Sequence, residues 1–124
     1  MKYIALGYLD EQRWNALSAP ERAAMIEECS SFDNQLRKSG HFIGGQSLYN
    51  VPAAATVRLA SGQVNVTAGP LANSCQHLGG VYVLSATDLN HAIQLLARHP
   101  GVRLGGCFEI RPADELCPSS DGGA

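Results

Sequence analysis

The chain has no long hydrophobic run, few aromatic residues (6%) and no cluster of basic charge, and each of these lacks removes a class of function. Its first apolar run, KYIALGYL, is far too short to cross a bilayer, and a single lysine followed by Asp10 does not make a secretory signal. A cytoplasmic location, away from membranes, is therefore expected. The 9 Lys and Arg are scattered among 11 Asp and Glu for a formal charge of -2, so there is no electrostatic footprint for direct nucleic-acid binding. Four cysteines, Cys29, Cys75, Cys107 and Cys117, include no close pair of the kind that makes a zinc knuckle or a redox dithiol. Nor do any two histidines have the spacing of a metal site on one helix face. No metal or cofactor is expected.

What is present is enough for one modest core. With 124 residues, 45% of them hydrophobic, the chain reads as one α+β domain over residues 1–112 and a flexible tail over 113–124 that is small, polar and aperiodic. Lys2 to Tyr8 alternates as a strand, with Tyr3, Ala5 and Gly7 on one face and Ile4, Leu6 and Tyr8 on the other. SAPE at Ser18 to Glu21 has the form of a capping box, and Met25, Cys29, Phe32 and Leu36 then recur at helical spacing until Gly40. The run His41 to Tyr49 follows as a strand whose Gly44-Gly45 pair signals a bulge or a close backbone approach. ATVRLA and QVNVT flank Ser61-Gly62, a two-residue turn that sets Leu59 opposite Val64, Arg58 opposite Asn65 and Val57 opposite Val66. One face of that hairpin is expected to be buried and the other wet or interfacial. GGVYVLS is a further strand; Thr87 or Asp88 caps a second helix running to Arg98, with Leu89, Ile93 and Leu96 as its stripe. In the last strand, GGCFEIRP, Phe108 and Ile110 share one face while Cys107, Glu109 and Arg111 share the other.

Strands outnumber helices and both helices fit on one side of the sheet, which favours an α+β sandwich over a doubly wound fold. The other side is then bare. It is expected to carry Tyr3, Ala5 and Cys107 with Glu109 and Arg111, a mixture too apolar for water and too polar for a closed core. A second copy of the chain would cover it, giving an isologous homodimer. Glu109 and Arg111 would then either pair between subunits or line a polar pocket for a small-molecule ligand.

KYIALGYLDE, FDNQLRKSG, GGQSL and above all TAGPLANSCQHLGGVYVL resemble the YCII-related proteins, in the branch named for a DGPFAETKE motif, over about Met1 to Arg111. The resemblance implies a ferredoxin-like subunit with an inserted hairpin that dimerises through its sheet as a dimeric α/β barrel. It also implies a bacterial protein linked with extracytoplasmic-function sigma factors, and hence a regulatory or accessory role. The motif itself reads AGPLANSCQ here. Ala68, Asn73, Cys75 and Gln76 stand where the motif has its four charged residues, while Gly69, Pro70 and Ala72 keep its backbone-shaping positions. A carboxamide hydrogen-bonds like a carboxylate but does not exchange protons, so Asn73, Ser74 and Gln76 are candidate ligand-binding residues without acid-base capacity. His77 and Cys75 are the remaining candidate catalytic groups of this loop. His41, His91 and His99 read as surface residues. The loss of motif charge favours a binding, accessory or regulatory dimer; the alternative is a lyase or isomerase working by proton transfer in a cleft at residues 68–77.

Overall fold

Residues Lys2–Asp10 form β1, whose side chains alternate between two unlike environments. Tyr3 and Ala5 are buried, whereas Ile4 and Leu6 are only half covered. Asp10 accepts from the Arg13 amide and starts a short helix, α1, at Glu11–Asn15. The long helix α2 spans Ala19–Lys38 and begins with both arms of the expected capping box, Ser18 and Glu21 each binding the other's backbone amide, with Pro20 in the first turn. It gives way at Gly40, where φ is +80°. The computed structural model describes residues 1–48, 51–71 and 76–114.

Four strands make the main sheet. These are β1, β2 (Phe42–Ser47), β5 (Gln76–Ser85) and β6 (Cys107–Pro112), in the order β2-β5-β1-β6 and antiparallel throughout. Helix α3, Leu89–Leu96, is capped by Asp88 and links β5 to β6 through a 3-10 turn at Pro100–Leu104. A separate two-stranded hairpin, β3 (Ala55–Ala60) and β4 (Gln63–Ala68), lies in the chain between β2 and β5. This α+β arrangement of one antiparallel sheet and few helices is compatible with a ferredoxin-like sandwich. Among the described residues no helix is long and apolar enough to cross a membrane.

Hairpin register follows the turn chemistry: Ser61 and Gly62 both have positive φ, and Leu59, Arg58 and Val57 face Val64, Asn65 and Val66 as the sequence predicts. The strand β2 is bulged just before the glycine pair, between Phe42 and Gly44, while Gly45 itself is closely approached by the Val81 carbonyl.

Both helices pack on one side of the sheet, where Leu36 of α2 and Leu96 of α3 meet Ala5 and Leu84. A second cluster joins Tyr3 to Ala86 and Ala92. Tyr3 and Ala5 thus belong to the helix-covered side, not to the bare one on which the sequence reading placed them. The bare side instead carries Ile4 and Leu6, which pair with Val83 and Val81 of β5 and with Arg111 and Glu109 of β6. Closeness explains the reversal. Small residues let layers approach: a Cβ on Gly7 would lie 2.8 Å from the Phe108 ring, so this side accommodates aromatic groups where the strand supplies little bulk. The same closeness corrects the α3 stripe, since Ala92 and Leu96 are buried while Leu89 and Ile93 stay exposed, and the helix ends at Leu96 before Arg98.

Candidate functional site

An open volume lies on the helix-covered side of the sheet, under α2. Gly45 is closely approached: a Cβ there would lie 3.1 Å from the Val81 carbonyl oxygen and 3.2 Å from the Phe42 ring, so a larger residue requires these neighbours to give way. Together with Gly7 and Gly80 it forms the floor of a cavity of about 390 Å³. Met25, Cys29 and Asp33, four residues apart on α2, roof it; Phe42, Tyr82 and Phe108 rise from the sheet; Trp14 of α1 and His99 at the start of the 3-10 turn also line it. A volume of this size suits a ring-sized organic molecule.

Its polar groups are few and held in defined states. The Tyr82 hydroxyl donates a short hydrogen bond to Asp33 Oδ1. Burial, followed by that bond and the adjacent carboxylate charge, pushes the phenol far above its ordinary range, so Tyr82 stays protonated. His99 lies edge-on to Phe32 and Phe108, each with a centroid separation of 4.9 Å. Its Nδ1 accepts from the Gly101 amide at 2.9 Å, which assigns the proton of the neutral ring to Nε2. Burial holds the imidazole below its usual pKa against the opposing pull of Asp33, so near neutral pH it is uncharged. The half-buried Cys29 thiol is raised, first by burial and then by Asp33 and Glu28, with Arg103 acting in the other direction. Arg37, one turn after Asp33, bonds Asn34 and stands 4.4 Å over the Phe42 ring. The cavity thus presents uncharged donors, one carboxylate and the Arg37 guanidinium, a set fitted to hold a ligand and poorly fitted to act as a nucleophile.

The residues singled out from sequence lie elsewhere. Asn73, Ser74 and Cys75 fall outside the described residues. Gln76 opens β5, donates to the Gly105 carbonyl at 2.9 Å and accepts from the Cys107 thiol at 3.5 Å, ties that hold the strand to the 3-10 turn and to β6. His77, opposite Leu9, sits largely buried with Nε2 3.3 Å from Glu11. Glu109 and Arg111 are exposed on the bare side of β6, so the sheet itself stands between them and the cavity. His99, read as a surface residue, is instead half-buried in the cavity wall, because the turn at Pro100 folds it back over the aromatic rings. His41 packs edge-on against His91, in the first turn of α3, with ring centroids 4.9 Å apart. Among the described residues no group of three or more His, Cys, Asp or Glu is placed to hold a metal ion.

Sequence spacing missed this site because its three polar groups come from α2, β5 and the turn after α3. One signal was local: Asp33 continues the Met25 and Cys29 spacing by four, a carboxylate on a sheet-facing row.

Comparison with known proteins finds similarity over nearly the whole chain. The model of the YCII-related domain matches residues 1–116. An uncharacterized protein of Rhizobium meliloti (strain 1021) is 28% identical over 116 residues, spanning 90% of this chain and 91% of its own length.

Proposed function

The chain belongs to the YCII-related family, and from that premise we propose that it is a small-molecule-binding homodimer with an accessory or regulatory role and little or no catalytic activity. One observation carries the reading: the aromatic cavity under α2 holds its phenol, thiol and imidazole in uncharged form beside a single carboxylate. Such a set offers directional contacts and shape without an activated nucleophile. Dimer formation draws support from the bare sheet side, where Ile4, Leu6, Val81 and Val83 form an apolar band beside Glu109 and Arg111. An isologous pairing covers that band and lets the two charges meet their opposites across the axis, completing a dimeric α/β barrel. A sigma-factor partner, suggested by family resemblance, fits the same accessory role.

The competing reading, proton-transfer catalysis by lyase or isomerase chemistry, draws on Asp33 as the one carboxyl group of the cavity. Native mass spectrometry of gently purified protein separates the ideas. The expected species is a dimer with reproducible added mass that disappears in a cavity-filling Cys29→Phe variant. A monomer overturns the dimer, and added mass that survives the filling moves the ligand out of this cavity. Consumption of the recovered ligand on incubation would favour the enzyme.

A further inference from the structure

Asp33 and Arg37 occupy the i,i+4 spacing at which opposite charges on a helix usually pair, yet neither binds the other. Asp33 takes the Tyr82 hydroxyl, and Arg37 takes Asn34 and the Phe42 ring. Among the described residues no lysine or arginine forms an ion pair with the Asp33 carboxylate. One hydroxyl satisfies only part of its accepting capacity, since an ionised carboxylate has about four lone-pair sites. His99 adds an N–H to the same wall but no charge. The remaining walls are aromatic: Trp14, Phe42, Tyr82 and Phe108 present rings to the cavity, and ring faces attract cations. Arg37 also lines the cavity but is engaged by Asn34 and the Phe42 ring, so among the described residues the Asp33 carboxylate faces the aromatic rings without an ion-pair partner.

We infer that the cavity selects a small protonated amine carried on a ring-sized apolar body, with the ammonium on Asp33 and the body against the aromatic walls. This rests on the reading of the α2 cavity as a ligand site and adds the charge class of its occupant. The ammonium donates to the free carboxylate oxygen, and the ring fills volume left by the glycine floor.

Three indole probes of like size and different charge test it by calorimetric titration at neutral pH: tryptamine (cation), tryptophol (neutral) and indole-3-propionate (anion). Expected is tighter binding of tryptamine than of tryptophol by at least about tenfold, with the propionate weakest. Asp33→Asn should erase the preference for tryptamine while leaving tryptophol within about twofold. Equal or stronger binding of the propionate would mean that Arg37 sets the charge preference and would overturn the inference while leaving the cavity as a ligand site. Tryptamine binding that is indifferent to Asp33→Asn overturns it as well. If none of the three probes binds, or if Cys29→Phe leaves their binding unchanged, the cavity reading falls with it. The charge series on the unaltered protein stands on its own should Asp33→Asn fail to fold.

Discussion

The two sides of the main sheet differ in a way that side-chain size alone would misreport. On the helix-covered side the strand β1 offers Tyr3, Ala5 and Gly7, and on the bare side the bulkier run of Ile4, Leu6 and Tyr8. The covered side is filled from above, by Phe32, Leu36, Leu95 and Leu96 of the helices, so the strand beneath must stay small where the layers approach. Among the described residues no layer fills the bare side, and it carries its own bulk. A side that provides large apolar groups and lacks a cover is prepared for a partner, while the side with glycines retains a cavity.

The largest way to break this contrast is to charge the bare side. If the proposed dimer forms through this side, Leu6→Lys should convert it to a monomer in sedimentation velocity with helical circular dichroism retained; a persisting dimer would place the interface elsewhere. Next come the neighbours Leu84 and Val83, one residue apart and on opposite sides. Leu84→Ala should lower unfolding free energy by about 2–5 kcal/mol in urea titrations, for lost burial plus the void it leaves. Val83→Ala should cost under about 1 kcal/mol in the monomer, rising with protein concentration where dimer forms. Equal costs at low concentration would erase the distinction between the sides. Gly7→Ala sets a methyl against the Phe108 ring and should cost about 1–3 kcal/mol; a neutral result would show that the ring moves freely.

The smallest expected effect is on pH dependence. His99 has a folded-state pKa below its ordinary value of about 6.5 because burial disfavours the cation. Between the folded and unfolded pKa values the unfolded chain therefore binds more protons. The His99 contribution is fully present above about pH 6.5 and is lost as pH falls through the window below it, with a slope of at most about 1.4 kcal/mol per pH unit. In a His99→Gln variant the slope of stability against pH between about 6.5 and 5 should flatten. An unchanged slope would assign the acid sensitivity to another group.

Most of the architecture was legible because it rests on local chemistry. The Ser18 and Glu21 cap, the Ser61-Gly62 turn with its register and the bulge before Gly44 are each decided within a few residues. Which side of β1 faces the helices was not legible, since Tyr-Ala-Gly and Ile-Leu-Tyr are both plausible inner faces until the approach distance is known. The site was hidden for a related reason. Asp33, Tyr82 and His99 are drawn together by layer packing across 66 residues of chain, and no spacing rule spans that. Attention to the 68–76 motif led instead to Gln76, which braces the 3-10 turn, and to His77, which meets Glu11.

The hairpin β3-β4 has a consequence for the order in which this molecule assembles. Its two strands are joined by a two-residue turn, so it closes on the scale of about 1–10 μs, well before β1 can find β6 at the far end of the chain. Yet Val57, Leu59, Val64 and Val66 remain 66 to 73% exposed in the finished single chain, and a lone two-stranded ribbon is marginal in water. The segment that forms earliest is therefore the one whose amides should exchange with solvent fastest, and slow exchange there would mark the moment at which another surface has come to cover it.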